Sequence, residues 1–157
     1  MRTVLLANLI KIRWIAILGQ LITLFTIFFI FNLTIPLTEC LFVVLLSILV
    51  NFSSYFIQRG NSTLTDKKTF LFLLFDISQL VGLLFLTGGV FNPFVVLIIA
   101  PIIISASYLS AFWTILLSLY SIILILIINF NYIPLNWEKN FTTPPIYNIG
   151  ILVALII

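Results

Sequence analysis

Apolar runs of about twenty residues, separated by short polar stretches, recur along nearly the whole chain. A helix needs roughly 20 residues to cross a hydrocarbon core of about 30 Å. A chain patterned this way folds in lipid, because inside a bilayer every backbone N–H and C=O must be satisfied within helices. Composition agrees: 63% of the residues are hydrophobic and 7% are charged, against roughly 25% charged in soluble domains. The expected fold is an all-α integral membrane bundle of six helices.

The runs place helices at about 14–33, 39–58, 69–87, 93–109 and 112–130, as one transmembrane domain over 1–157. The first, Trp14 to Leu33, is too long for a secretory signal and lacks a small-residue cleavage pattern, so it is expected to be retained. Pro36 ends helical continuity before the second helix. The last apolar segment, Ile146 to Ile157, would be only about 18 Å long as a helix. It is expected to be a sixth helix cut short. The interval "NYIPLNWEKNFTTPPIYN" before it suits a loop at headgroup level.

Arg2, Lys11, Arg13, Arg59, Lys67 and Lys68 fall on one side of this alternation, with Lys139 on the other. The positive-inside rule then puts the N-terminus and the loop from Arg59 to Lys68 in the cytoplasm, and the turn near residue 90 outside. The net charge of +3 is spread over helix ends rather than gathered in a patch, so nucleic acid is not an expected partner. With no histidine and one cysteine, the chain has no material for a zinc cluster, an intramolecular disulfide or a Cys–His or Ser–His pair. Cys40 is expected to be a packing residue, and no catalytic or metal site is expected.

Asp76 is the sole carboxylate well inside an expected span. Such residues are costly in lipid and normally face the bundle interior with a partner. Gln20, Asn51 and Gln79 fall at similar depth, Gln79 on the same helix face as Asp76, and Ser105 and Ser107 fall near this level. These residues are expected to form a polar layer, with Gln20 or Asn51 as the partner of Asp76. The layer could be interhelical hydrogen bonding alone, or it could carry protons or a signal.

The stretch "LTGGVFNPF", Leu86 to Phe94, interrupts the apolar pattern. Gly88 and Gly89 can close one helix in the left-handed region. Asn92 can cap the next, with Pro93 at its first position. The turn could be only a connector. It could also offer unpartnered backbone groups beside Phe91 and Phe94 to a quinone head group, an apolar ring with two carbonyl acceptors.

"RWIAILGQL" at Arg13 to Leu21, "FDISQLVGLLFLTGGVFNPF" at Phe75 to Phe94 and "APIIISASYL" at Ala100 to Leu109 together resemble the RegB/PrrB/ActS family of bacterial redox-responsive sensor histidine kinases, which have six membrane helices. The most specific element is GGxxNPF, Gly88 to Phe94. The resemblance implies a sensor module in a bacterial inner membrane, with both ends cytoplasmic, relaying a ubiquinone signal to a kinase core. It implicates Gly88, Gly89, Asn92, Pro93 and Phe94 in the quinone site. Phe112–Trp113 resembles the family's fifth-helix start but lacks the adjacent basic residue. The family's phosphoacceptor histidine, ATP-binding domain and redox-active cysteine lie beyond the membrane region, so ATP would bind only in a kinase part outside this chain. A homodimer formed through that cytoplasmic part and a cognate response regulator are the implied partners. Two other readings stand beside this one: a transporter or permease fragment coupling through Asp76 and Gln79, and a structural subunit of a respiratory complex.

Overall fold

A computed structural model describes residues 6–30, 34–57 and 64–134. These form helices α1 (Leu6–Phe25), α2 (Leu37–Ile57), α3 (Asp66–Leu86), α4 (Ile99–Tyr108) and α5 (Ala111–Phe130). No strand occurs among the described residues. Among the described residues, four stretches are long and apolar enough to cross a membrane: Asn8–Ile30, Leu37–Phe56, Asp66–Leu86 and Ala111–Phe130. Phe94–Tyr108 is apolar but shorter. The expected sixth helix at Ile146 to Ile157 lies outside the described residues.

Two boundaries differ from the sequence reading. Helix α1 is already formed at Leu6, the first described residue, well before Trp14, because Lys11 and Arg13 have good helix propensity and long stems that run along an apolar surface. Arg13 therefore sits inside a helix rather than in a flanking basic tail. The fourth helix also starts late. From Pro93 to Ile98 the chain winds as 3₁₀ turns, and α-helix begins only at Ile99.

Local chemistry explains the remaining ends. Pro36 precedes α2, where a proline lacking an N–H costs nothing, and its carbonyl accepts from Cys40 N at 3.0 Å. Asp66 opens α3, where a carboxylate complements the helix dipole. Helix α1 unwinds into a π-helical turn, Thr26–Ile30.

Helix α3 is the centre of the bundle. Its Leu73, Ile77 and Leu84 are buried with Ile98, Leu117 of α5 and Ile128. Leu83, on its other side, joins Ile17 and Leu24 of α1 and Cys40 and Val44 of α2. Cys40 is a fully buried packing residue. Gly82 lets α2 come close, its Cβ position 3.8 Å from Val43, as small residues do between membrane helices. Polar bonds fasten α5 on its side: Tyr120 to Ser78 of α3 at 2.7 Å, and Ser105 of α4 to Thr114 at 3.0 Å. The outer surface is apolar. Ile15, Leu18 and Ile22 on α1, and Ile115, Leu119, Ile122 and Leu126 on α5, are exposed. Their three-to-four-residue spacing forms continuous stripes. In water these would be a liability; against lipid they are the required surface.

Candidate functional site

A cleft of about 340 Å³ runs between α1 and α3 on one side and the Pro93–Ile98 turns and α4 on the other. Its walls are mostly apolar, including Ile17, Leu24, Leu83, Leu97 and Ile104. Polar side chains line it at separate levels: Arg13 and Asp76 lowest, Gln20 and Gln79 next, and Thr87 and Asn92 at the turn, with Thr23 and Ser47 also on the wall. The volume falls within the range of about 300–1,000 Å³ usual for small-molecule pockets.

The partner of Asp76 is Arg13, neither Gln20 nor Asn51. Arg13 Nη2 lies 2.9 Å from Asp76 Oδ1 and Nε donates to Oδ2 at 3.1 Å, a two-pronged pairing. Nη2 also donates to the Phe72 carbonyl at 2.8 Å, and the guanidinium lies 4.7 Å from the Phe72 ring centre. Arg13 is only 8% exposed. The expectation failed because it treated Arg13 as a cytoplasmic anchor outside the helix. Two basic residues close together counted as a topology signal, when the second faces inward.

Gln20 and Gln79 face each other across α1 and α3 and exchange amide hydrogen bonds at 3.2 and 3.1 Å. Asn51 donates instead to the Ile10 carbonyl of α1 at 3.2 Å. It is fully buried, and its Oδ1 has no partner among the described residues. The expected layer is therefore two separate links: an α1–α3 ladder of Arg13–Asp76 and Gln20–Gln79, and an α1–α2 tie at Asn51. Ser105 is buried but bonds Thr114, and Ser107 is exposed and bonds its own helix at Ile103 O. Neither joins the ladder. Asp76 and Gln79, the coupling pair of the transporter reading, are both engaged with α1.

At the other end of the cleft the turn is built by its own sequence. Gly88 and Gly89 have φ of 107° and 63°, in the region glycine tolerates best. Asn92 caps the following turn, its Oδ1 accepting from Phe94 N at 2.9 Å. Its Nδ2 donates to the Thr87 carbonyl at 3.0 Å and to Thr87 Oγ1 at 2.8 Å. Asn92 is buried, and its three bonds fasten the end of α3 to the start of the next segment. Phe94 lines the cleft, whereas Phe91 is exposed on the other side.

Tyr132 is the residue the sequence reading missed. A Cβ added to Gly89 would lie 2.7 Å from Tyr132 Cβ and Cγ, and the Tyr132 ring sits 5.7 Å from that of Phe91. Ile133 N donates to the Phe85 carbonyl at 2.8 Å. The ring that the glycine admits is thus the chain's own. The chain after α5 is clamped on one side of the turn, while Thr87, Asn92 and Phe94 line the cleft on the other.

Comparison with known proteins fits these elements. The chain is 33% identical over 154 residues to the sensor histidine kinase RegB of Cereibacter sphaeroides, covering 97% of this chain and 33% of that protein. A second sensor histidine kinase RegB, from a designated strain of Cereibacter sphaeroides, is 34% identical over 75 residues, 48% of this chain and 16% of that protein. The chain thus spans about a third of the length of the first relative. No protein-family model and no solved structure matches it. By sequence, the chain is a homologue of the RegB-type sensor histidine kinases and corresponds to their membrane sensor region.

Proposed function

We propose that this chain is the membrane sensor module of a redox-responsive two-component system, and that the cleft between α1, α3 and α4 takes up ubiquinone. The turn residues Gly88, Gly89, Phe91, Asn92, Pro93 and Phe94 form the outer rim of that site. Phe94 gives an apolar wall, while Asn92 and the glycines hold the turn in shape. Occupancy biases a kinase core, joined beyond this chain, that binds ATP, dimerises and phosphorylates a response regulator. The module lies in a bacterial inner membrane with both ends cytoplasmic and the turn outside.

The observation that carries the reading is the coincidence of two independent features. The GGxxNPF turn by which the sequence resembles redox-sensing kinases is also one end of the cleft between α1, α3 and α4. A cleft with apolar walls and a few polar groups suits an amphiphile whose tail must stay in hydrocarbon. Equilibrium binding of a long-chain prenyl benzoquinone to the protein in lipid vesicles tests this. Saturable binding is expected, weakened about tenfold by Phe94→Ala or Asn92→Ala, the equivalent of about 1.4 kcal/mol. If both variants bind as the parent does, the turn is a connector.

A further inference from the structure

We infer that the Gln20–Gln79 amide pair, with Arg13 beside it, reads the carbonyl oxygens of the ligand's head group, so that the head lies deep in the cleft rather than at the turn. The inference rests on the quinone reading and deepens it.

The turn has no side-chain donor to spare. Both N–H groups of Asn92 are committed to Thr87, its oxygen accepts from Phe94 N, and Thr87 Oγ1 donates to the Leu83 carbonyl at 2.7 Å. The face of Gly89 is filled by Tyr132. A ring carbonyl arriving there could take a side-chain donor only by breaking one of these bonds. Deeper in, the balance reverses. A primary amide carries two N–H groups, and the reciprocal Gln20–Gln79 contact uses one from each. The second N–H of each remains for a ligand acceptor. Arg13 holds Asp76 and the Phe72 carbonyl with Nε and Nη2, which leaves Nη1 with its two N–H groups. All three residues line the cleft.

Space is available at this level. Gly19 lines the cleft next to Gln20, and a Cβ built on it meets nothing within 4 Å. From Gln79 to Thr87 is eight residues of α3, about 12 Å of helix. A head group at the glutamines would lay its first prenyl units along Leu83, Leu84 and Leu97 and bring the tail past Phe94. Ligand binding would also exchange amide–amide bonds for amide–carbonyl bonds, directly between α1 and α3. A quinol, which presents hydroxyl groups instead of carbonyls, would meet the glutamine oxygens as well as their N–H groups. The same pair can therefore tell the two redox forms apart.

The test compares a prenyl benzoquinone, its tailless short-chain counterpart and a prenyl-tailed benzene without carbonyls, on the parent and on Gln20→Leu, Gln79→Leu and the double variant. Replacing both partners by apolar groups is close to neutral for folding, so the double variant provides a folded protein. Loss of the glutamines should weaken both quinones about tenfold and leave the carbonyl-free compound unchanged. Phe94→Ala should weaken the tailed quinone more than the tailless one. Mapping a ring-photoreactive quinone on the parent gives an independent answer, with labelling expected between residues 16 and 24 and between 75 and 83. Quinone affinity unchanged in the double variant, or ring labelling confined to residues 87–97, overturns the inference while leaving a quinone site at the turn. No saturable quinone binding by the parent overturns the quinone reading itself, and this inference with it.

Discussion

Removing the carboxylate of Asp76 should loosen α1 from the bundle more than any other single side-chain change. Arg13 is 8% exposed and makes three contacts through two nitrogens, two of them to Asp76. In Asp76→Leu the guanidinium stays buried with only the Phe72 carbonyl and the ring face beneath it. Leaving one charge of a buried pair without its partner costs about 3–5 kcal/mol. In Arg13→Met the carboxylate is left behind, but 24% of the Asp76 side chain is exposed at the cleft, so the cost falls toward the lower end of that range. The double variant removes both charges and should cost about 1 kcal/mol or less, because an apolar pair of similar volume is often neutral. The two single costs less that of the double variant give a coupling of about 5 kcal/mol or more. By comparison, the two amide bonds of Gln20–Gln79 contribute about 1.2 kcal/mol together at the average measured for membrane helices. Reversible unfolding of the protein in mixed micelles, driven by rising dodecyl sulfate and followed by tryptophan fluorescence and circular dichroism, measures all four corners of the cycle. If Asp76→Leu unfolds within about 0.5 kcal/mol of the parent, well below the cost of breaking a buried pair, Arg13–Asp76 does not hold α1 to α3.

Gly89→Ala should destabilise the protein by about 2–4 kcal/mol, since it adds a left-handed-backbone cost to a clash with Tyr132. Tyr132→Gly in the same chain, which removes the Cβ as well as the ring, should recover the clash part but not the backbone part, as read by the same unfolding titration. Asn92→Asp keeps the acceptor for Phe94 N but turns a carboxylate toward the Thr87 carbonyl. It should therefore destabilise more than the ~1 kcal/mol of a lost cap, with Asn92→Ser falling between it and the parent. Phe91→Cys, in a chain with Cys40→Ala, is expected to react with a membrane-impermeant thiol reagent only from outside. Reaction only from the cytoplasmic face would reverse the topology.

The legible part of the fold was whatever depends on length and polarity alone. Four spans, the breaks at Pro36 and at the glycine pair, and the cap at Asn92 follow from local rules, and the helices agree with them. The polar ladder was half legible. Asp76 and Gln79 are three apart on α3, while Arg13 and Gln20 are seven apart on α1, so each pair lies on one helix face. Matching the two pairs would have found both bonds. Reading Arg13 as a topology marker concealed this, because the same residue type anchors at an interface or pairs in the interior depending on tertiary neighbours. The 3₁₀ turns of Pro93–Ile98 carry no propensity signal; they arise from how the cap at Asn92 and the buried Ile98 fix the two ends of the segment. Tyr132 was illegible for a different reason. It meets Gly89 across a long sequence separation, and only the bent path after α5 brings them together.

The central claim is that the cleft is where redox state enters the protein. Gly19→Leu fills the cleft without straining the backbone, since the position is helical and opens on empty space. The decisive measurement is autophosphorylation of the proposed full-length kinase in lipid vesicles, with the added prenyl quinone held oxidised or reduced, in the parent and in Gly19→Leu. The account predicts a parent whose rate changes with the redox state of the quinone and a variant whose rate does not. A Gly19→Leu kinase that follows the quinone as the parent does would contradict it.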